Sequence, residues 1–177
     1  MGDIVLRELT LEDAEALLFM NTENREYFER WKPIKPNEAY YTLEGHKKRI
    51  TRLLEERNND KNYCYGVFLE GKILMGTIDF AFVVRGPLQS SMIGYEFSQK
   101  YTGQGYATKA VTLALNIAFN ELSFHRIYAG AEPENLASIR VLEKAGFTKE
   151  GYSPKSLNVH GVWKDQVCMA IVNEKEK

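Results

Sequence analysis

The sequence predicts a mixed α/β (α+β) fold, and three observations carry that prediction. Strand patterns at Tyr63–Leu69, 72–84 and 91–98 follow one another through short turns, which makes an antiparallel meander. A strand, a helix and a strand then succeed each other between 91 and 131, which requires a right-handed crossover and at least one parallel pair. The chain of 177 residues is 44% hydrophobic and 12% aromatic, enough to bury one core, so residues 1–177 are expected to form a single domain.

Each element has its own signal. Residues 4–9 alternate apolar and charged side chains, as a short strand does. Thr10-Leu11-Glu12-Asp13 carries a capping signature, with Ala14, Leu17 and Leu18 as the apolar stripe behind it. The polar stretch 21–30 carries Tyr27 and Phe28 and leads to Trp31, before Pro33 and Pro36 stop any helix. Thr42 opens the next helix, with Ile50, Leu53 and Leu54 at core spacing. Within the meander, Glu70-Gly71 is a hairpin turn and Gly86-Pro87 breaks the chain. Ala107, Ala110, Val111, Ala114, Leu115, Ala118 and Leu122 then recur at helical spacing. A strand at Arg126–Ala131 precedes a helix at 136–145 with Gly146 at its cap, and two strands follow near 152–159 and 162–172. The predicted order is β-α-α-β-β-β-α-β-α-β-β.

Charge and cysteine use exclude several functions. With 23 Lys+Arg against 24 Asp+Glu the net charge is -1, which argues against bulk electrostatic binding to nucleic acid or an anionic membrane. A local basic pocket is still allowed. Cys64 and Cys168 lie far apart with no CxxC and no nearby His pattern, so neither a disulfide framework nor a bound metal is expected. The first residues lack the charged and apolar regions of a signal peptide, and Leu6 stands where myristoylation after Gly2 wants Ser or Thr. No apolar run approaches the ~20 residues that span a bilayer. A cytoplasmic protein is expected.

The informative stretch is 93–107, IGYEFSQKYTGQGYA, where a strand runs through Tyr101-Thr102-Gly103-Gln104-Gly105-Tyr106 into a long helix. Two glycines one residue apart let a ligand approach the backbone, and the helix start offers unpaired N–H groups, an arrangement suited to phosphates. A Walker loop fails, because Lys109 comes too late and is flanked by Thr108 and Ala110. The dinucleotide fingerprint fits poorly, since Thr108 stands where its third Gly or Ala belongs. A glycine-bearing helix start with no ligand is the plain alternative.

Lys100-x-x-Gly103-x-Gly105-Tyr106-Ala107 resembles the acetyl-coenzyme A pyrophosphate loop of the GNAT (N-acetyltransferase) superfamily, with Lys100 where Gln or Arg is usual. Residues 135–147, NLASIRVLEKAGF, resemble its second cofactor motif. Asn24-Arg25-Glu26-Tyr27 with Trp31, Asn135-x-x-Ser138, Gly146-Phe147-x-x-Glu150-Gly151 and Gly161-x-Trp163-x-Asp165 resemble the ribosomal-protein N-terminal acetyltransferase (RimJ/RimL) branch. The resemblance implies a mostly antiparallel mixed sheet, helices on both faces, a parallel pair at the cofactor slot, and acetyl-CoA as co-substrate.

It also implies roles. Backbone N–H groups of Gly103, Gln104, Gly105, Tyr106, Ala107 and Thr108 would hold the pyrophosphate, and Phe97 and Ser98 would pair by backbone with the pantetheine arm. Many superfamily members protonate the leaving thiolate with a tyrosine whose position here is Leu142, so Ser138 is the candidate acid, with helix capping as its plain alternative. Asn135 would cap the same helix and touch the cofactor arm. A carboxylate that some members carry falls on Leu157, which leaves Glu96 as candidate base, with His160 or water behind it. Tyr27 and Trp31, with Phe28, would wall the acceptor groove; packing on the sheet explains them equally. His46, His125 and the Tyr40-Tyr41 pair carry no signal separable from packing.

The expected function is acetyl transfer from acetyl-CoA to a primary amine, foremost a protein or peptide α-amine, with a ribosomal protein N-terminus as the implied partner. A small-molecule amine acetyltransferase and a non-catalytic acyl-CoA-binding regulator are the alternatives. The acceptor, the acyl length and the oligomeric state, a homodimer included, are not legible.

Overall fold

The computed structural model describes residues 2–174. The chain opens with strand β1 (Ile4–Glu8) and helices α1 (Ala14–Glu23), α2 (Arg25–Glu29) and α3 (Leu43–Asn58). Strands β2 (Tyr63–Leu69), β3 (Ile73–Val84) and β4 (Ser90–Phe97) form the expected meander. Helix α4 (Tyr106–Asn120), strand β5 (Arg126–Ala131), helix α5 (Leu136–Lys144) and the hairpin of β6 (Thr148–Val159) and β7 (Val162–Val172) follow. Two details differ from the sequence reading. The polar stretch 21–30 breaks at Asn24 (φ -114°, ψ 20°) and restarts as α2. Strand β6 begins at Thr148 rather than Tyr152, because its exposed start, with Lys149 and Glu150, carries no apolar alternation to read.

Local chemistry sets the boundaries. Asp13 Oδ2 accepts from the Thr10 N–H at 2.8 Å while Arg7 grips both carboxylate oxygens at 2.8 and 2.7 Å, which pins the turn into α1. Thr42 Oγ1 accepts from the Gly45 N–H at 3.0 Å and starts α3. His160 (φ 51°) and Gly161 (φ 85°) make the two-residue turn, both residues left-handed, that matches the twist of β6 and β7.

The sheet runs β1-β2-β3-β4-β5-β7-β6. Every neighbouring pair is antiparallel except β4 and β5, which α4 connects as the crossover. One face packs on α4 and α5, with Phe80, Ile78, Phe124 and Ile127 fully buried there. The other packs on α1 and α3 through Leu17, Ile50 and Phe68. Each of these side chains contributes about 1.5–3 kcal/mol by leaving water. Along α4 the core-facing positions include Ala110, Ala114 and Ala118, all fully buried, so the helix axis can lie close to the sheet.

One buried side chain ties the two halves together. Asn24, at the end of α1, donates to Met20 C=O at 2.8 Å and to Ser98 Oγ at 3.0 Å, and it accepts from the Gln99 N–H at 2.8 Å. It therefore fixes the chain as it leaves β4 for α4. Asn24→Ala is expected to destabilise the protein by about 1–3 kcal/mol, since the Gln99 N–H and Met20 C=O lose a buried partner. A melting curve checks this, at about 2–4 °C per kcal/mol for a chain of this size.

Candidate active site

The site begins where β4 and β5 stop pairing. Their ladder consists of Ser90↔Arg126, Ser91↔Ile127 and Met92↔Tyr128. Beyond it β4 stays with β3 as far as Phe97, and β5 stays with β7 as far as Ala131. The Ser98 N–H donates to Met75 C=O at 2.8 Å, so that pair is a hydrogen-bonded rung. Rungs alternate in an antiparallel ladder, so the backbone groups of Tyr95 and Phe97 point away from β3, toward β5. They meet no strand there. The result is a slot lined by unpaired main-chain groups, able to pair with an extended amide chain.

Ser98, expected to join Phe97 in that pairing, has bonds of its own within the protein. Its N–H serves Met75, its carbonyl accepts from the Tyr101 N–H at 3.0 Å, and its hydroxyl is bonded to Asn24. These bonds make Ser98 an anchor of the loop, and the backbone of Tyr95 lines the slot beside Phe97.

The loop then delivers the start of α4. Gly103 (φ 74°) and Gly105 (φ 82°) are both left-handed, a conformation that costs other residues roughly 1–2 kcal/mol. The first bond of the helix runs from the Lys109 N–H to Gly105 C=O at 3.1 Å. The N–H groups of Tyr106, Ala107 and Thr108 thus have no partner within the helix, and the positive end of its dipole lies there. Gln104 turns its amide back onto Lys100 C=O at 2.7 Å and offers only its backbone. The Tyr106 ring is buried edge-on against Tyr101, and its hydroxyl accepts from the Gly2 N–H at 3.2 Å. Together these groups fit a pyrophosphate at the helix start and a pantetheine arm in the slot.

Helix α5 closes the opposite wall. Asn135 caps it, accepting from the Ser138 N–H at 3.1 Å. Ser138 Oγ lies 2.9 Å from the Tyr95 hydroxyl, which also donates to Ser138 C=O at 3.1 Å. Burial pushes the Tyr95 phenol up to about 12, so it stays protonated at neutral pH. Tyr95 escaped the sequence reading, although Ile93, Tyr95 and Phe97 share one strand face and Tyr95 alone among them carries a polar tip. Leu142, at the position where the superfamily tyrosine is usual, is packed in the core.

The other face of β4 carries charge. Asp79 sits opposite both Cys64 and Gly94, so these three and Glu96 share the face toward α1 and α3. Glu96 Oε1 is 3.1 Å from Lys32 Nζ, while Glu96 Oε2 is buried without a hydrogen-bond partner. Burial, reinforced by Glu96, raises the Asp79 carboxyl to about 6. An interior charge within an apolar strand (Thr77-Ile78-Asp79-Phe80) was the signal that could have flagged it. Tyr27 and Trp31 line the outer wall beside Lys32. Their loop is braced by Glu29, which accepts from the Tyr41 hydroxyl at 2.8 Å and pairs with Arg25 and Lys35 at 3.0 and 3.2 Å. Leu157 lies in β6, and His160 in the turn that follows it.

One cavity of about 520 Å³ joins both sides, reaching from Trp31, Asp79 and Glu96 to Ser138, Asn135 and Gly105. Arg140 and Lys144 of α5 line it too and add positive charge. Among the described residues no group of three or more His, Cys, Asp or Glu could hold a metal, and no helix is long and apolar enough to cross a membrane.

A sheet parted between parallel strands, with a glycine loop and a bare helix start at the parting, defines a transferase that draws its acyl group from coenzyme A. The chain belongs to the Acetyltransferase (GNAT) domain family, whose profile matches residues 3–148. It is 43% identical over 175 residues to the probable N-acetyltransferase YjcK of Bacillus subtilis, covering 98% of this chain and 96% of that one. It is 31% identical over 169 residues to the [ribosomal protein uS5]-alanine N-acetyltransferase of Escherichia coli, covering 95% and 87%. Mycobacterium smegmatis RimJ in complex with CoA-disulfide superposes with a TM-score of 0.93 at 29% identity, covering 99% of this chain and 84% of that one. The protein is an acetyl-CoA-dependent N-acetyltransferase.

Two outcomes test the cofactor geometry. At ~100 times its dissociation constant, acetyl-CoA is expected to stabilise the fold by about 2.7 kcal/mol, whereas acetyl-pantetheine, lacking the pyrophosphate, should shift the melting curve far less. Gly105→Val should weaken acetyl-CoA binding in isothermal titration, because a branched side chain would stand where the pyrophosphate meets the backbone. Unchanged binding in a folded variant would contradict the loop assignment.

Proposed function

We propose that this enzyme acetylates the α-amine of a protein or peptide, a ribosomal protein among the acceptors to be tried first, and that residues 1–177 act as one domain. The observation that carries the reading is the continuous cavity, which joins the bare helix start to the unpartnered Glu96 oxygen through the parted strands. The likeness to a uS5-alanine acetyltransferase supports the α-amine as acceptor.

Acetyl-CoA supplies the activated thioester when bound. Backbone N–H groups from Gly103 to Thr108 hold its pyrophosphate, and the free backbone of Phe97 and Tyr95 pairs with the pantetheine amides, assisted by Asn135. A slot N–H also polarises the acetyl carbonyl; single donors of this kind are worth roughly 2.7–4 kcal/mol where they have been removed. On the acceptor side Tyr27 and Trp31 wall the groove, and Glu96, steadied by Lys32, receives the amine. An α-amine with a pKa of about 7.7–8.0 is already partly neutral at cell pH. Ser138 Oγ–H would pass its proton to the departing thiolate and take one back from the nitrogen that has attacked, while the Tyr95 hydroxyl, 2.9 Å away, holds Oγ in position.

Free-thiol release measured over an acceptor panel tests the reading. A peptide with N-terminal alanine is expected to exceed spermidine and an aminoglycoside in kcat/KM by at least about tenfold, or about 1.4 kcal/mol. A preference for spermidine would overturn the α-amine assignment. Ser138→Ala should lower kcat and kcat/KM together by roughly 10²–10⁴-fold with acetyl-CoA affinity nearly intact. A variant within about threefold of the parent, losing only the 0.5–1.5 kcal/mol of a local hydrogen bond, would remove the serine from the chemistry.

A further inference from the structure

Asp79 is the carboxylate that the reaction just described leaves unused. Among the described residues it accepts no hydrogen bond and forms no close ion pair, and it stands half-buried where it lines the cavity. The position opposite it on β4 is Gly94. A Cβ built there would lie 3.2 Å from Asp79 Oδ1, so the missing side chain is what opens this carboxylate to the cavity. Glu96 follows on the same face of β4, diagonal to Asp79 and within reach of a shared ligand. Asp79, Gly94, Glu96 and Lys32 all line the cavity that leads to Ser138. Two carboxylates, each with an oxygen that no protein group satisfies, suit one cation bearing several N–H donors.

We propose that Asp79 and Glu96 together bind the acceptor as its ammonium ion, and that Asp79 removes the proton that frees the amine for attack. The inference rests on the acceptor reading above. In the step, one N–H bond of R–NH₃⁺ breaks and its electron pair stays on nitrogen. The proton forms an O–H bond on the Asp79 carboxylate, leaving neutral R–NH₂ beside Glu96. Water reaching the cavity then takes the proton from Asp79 and restores the anion. Glu96 is tied through one oxygen to Lys32 at 3.1 Å, so its other oxygen holds the amine while Asp79 takes the proton.

The surroundings suit the role. Asp79 faces Glu96 from β4, Cys64 from β2, and Arg49 and Glu56 from α3. Burial and the two glutamates raise its carboxyl, Arg49 opposes them, and the balance leaves it at about 6, close to the working pH of a base. His46, also on α3, is fully buried and held at about 4 by burial and by the Arg49 and Lys32 cations, so it is neutral and does not compete. Cys64, raised to about 12 by burial, stays a thiol.

The test measures kcat/KM against pH with an N-terminal-alanine peptide and with spermidine, on the parent, Asp79→Asn and Gly94→Ala. For the peptide, the parent should rise through about pH 6 as Asp79 ionises and fall above about pH 8 as the α-ammonium is lost. Asp79→Asn should lower kcat/KM at pH 7 by roughly 10²-fold or more and lose the limb near pH 6, with the KM for acetyl-CoA unchanged. Gly94→Ala covers the carboxylate without removing its charge, so it should reproduce the loss. The melting curve separates chemistry from packing. A carboxyl raised in the folded state binds protons there that the unfolded chain has released, so its stabilisation holds at low pH and fades as pH rises through 6. Asp79→Asn should therefore be at least as stable as the parent at pH 7. An active parent with an unchanged Asp79→Asn profile overturns the inference alone. A parent idle with both amines overturns the acceptor reading beneath it.

Discussion

Everything at the site depends on β4 and β5 belonging to different partners. After Met92 and Tyr128 the first keeps its rungs with β3 and the second with β7, so a parallel pair three residues long opens into a gap. Unpaired main-chain groups inside a protein ordinarily cost about 1–3 kcal/mol each. Those at Tyr95 and Phe97 are left open to an extended partner. The gap is also held at a defined width. The hydroxyl of Tyr95 crosses from β4 to Ser138 of α5, and Asn24 fixes the loop that starts at Ser98.

The two-residue period of a strand then divides the labour. Tyr95 and Phe97 face α4 and α5, and with them the donor side of the cavity. Gly94 and Glu96 face α1 and α3, where Asp79, Lys32 and Trp31 gather. A single strand thus presents hydrogen-bonding backbone at its edge, a phenol on one face and a carboxylate on the other. Because the strands part, the two faces communicate through the sheet instead of around it. A one-residue slip of β4 against β3 would exchange the faces and place Glu96 among apolar side chains.

Much of this is legible in the sequence, for identifiable reasons. The meander and the crossover helix show through alternation and through the alanine-rich stripe of α4. Gly103 and Gly105 announce a tight loop that bares backbone ahead of a helix, because the left-handed turn at both positions favours glycine. Asn135 reads as a cap and is one. What stays hidden depends on pairing. The rung of Ser98 with Met75 leaves no mark in the sequence, and Tyr95 looks like core until α5 brings Ser138 to it. Asp79 becomes a candidate only once its neighbour across the strands proves to be a glycine. The break at Asn24 is hidden because its side chain answers to residues some 74 positions away.

The central claim is that backbone groups of the parted strand and the bare helix start receive the acyl donor. Amide hydrogen exchange resolved by residue, with and without saturating coenzyme A, measures this directly. The account predicts slowed exchange at Tyr95 and Phe97 and across Gly105 to Thr108, with amides in the paired part of β4 at Ser91 and Met92 little changed. Protection confined to other surfaces, with the amides of Tyr95, Phe97 and the α4 start exchanging as before, would contradict it.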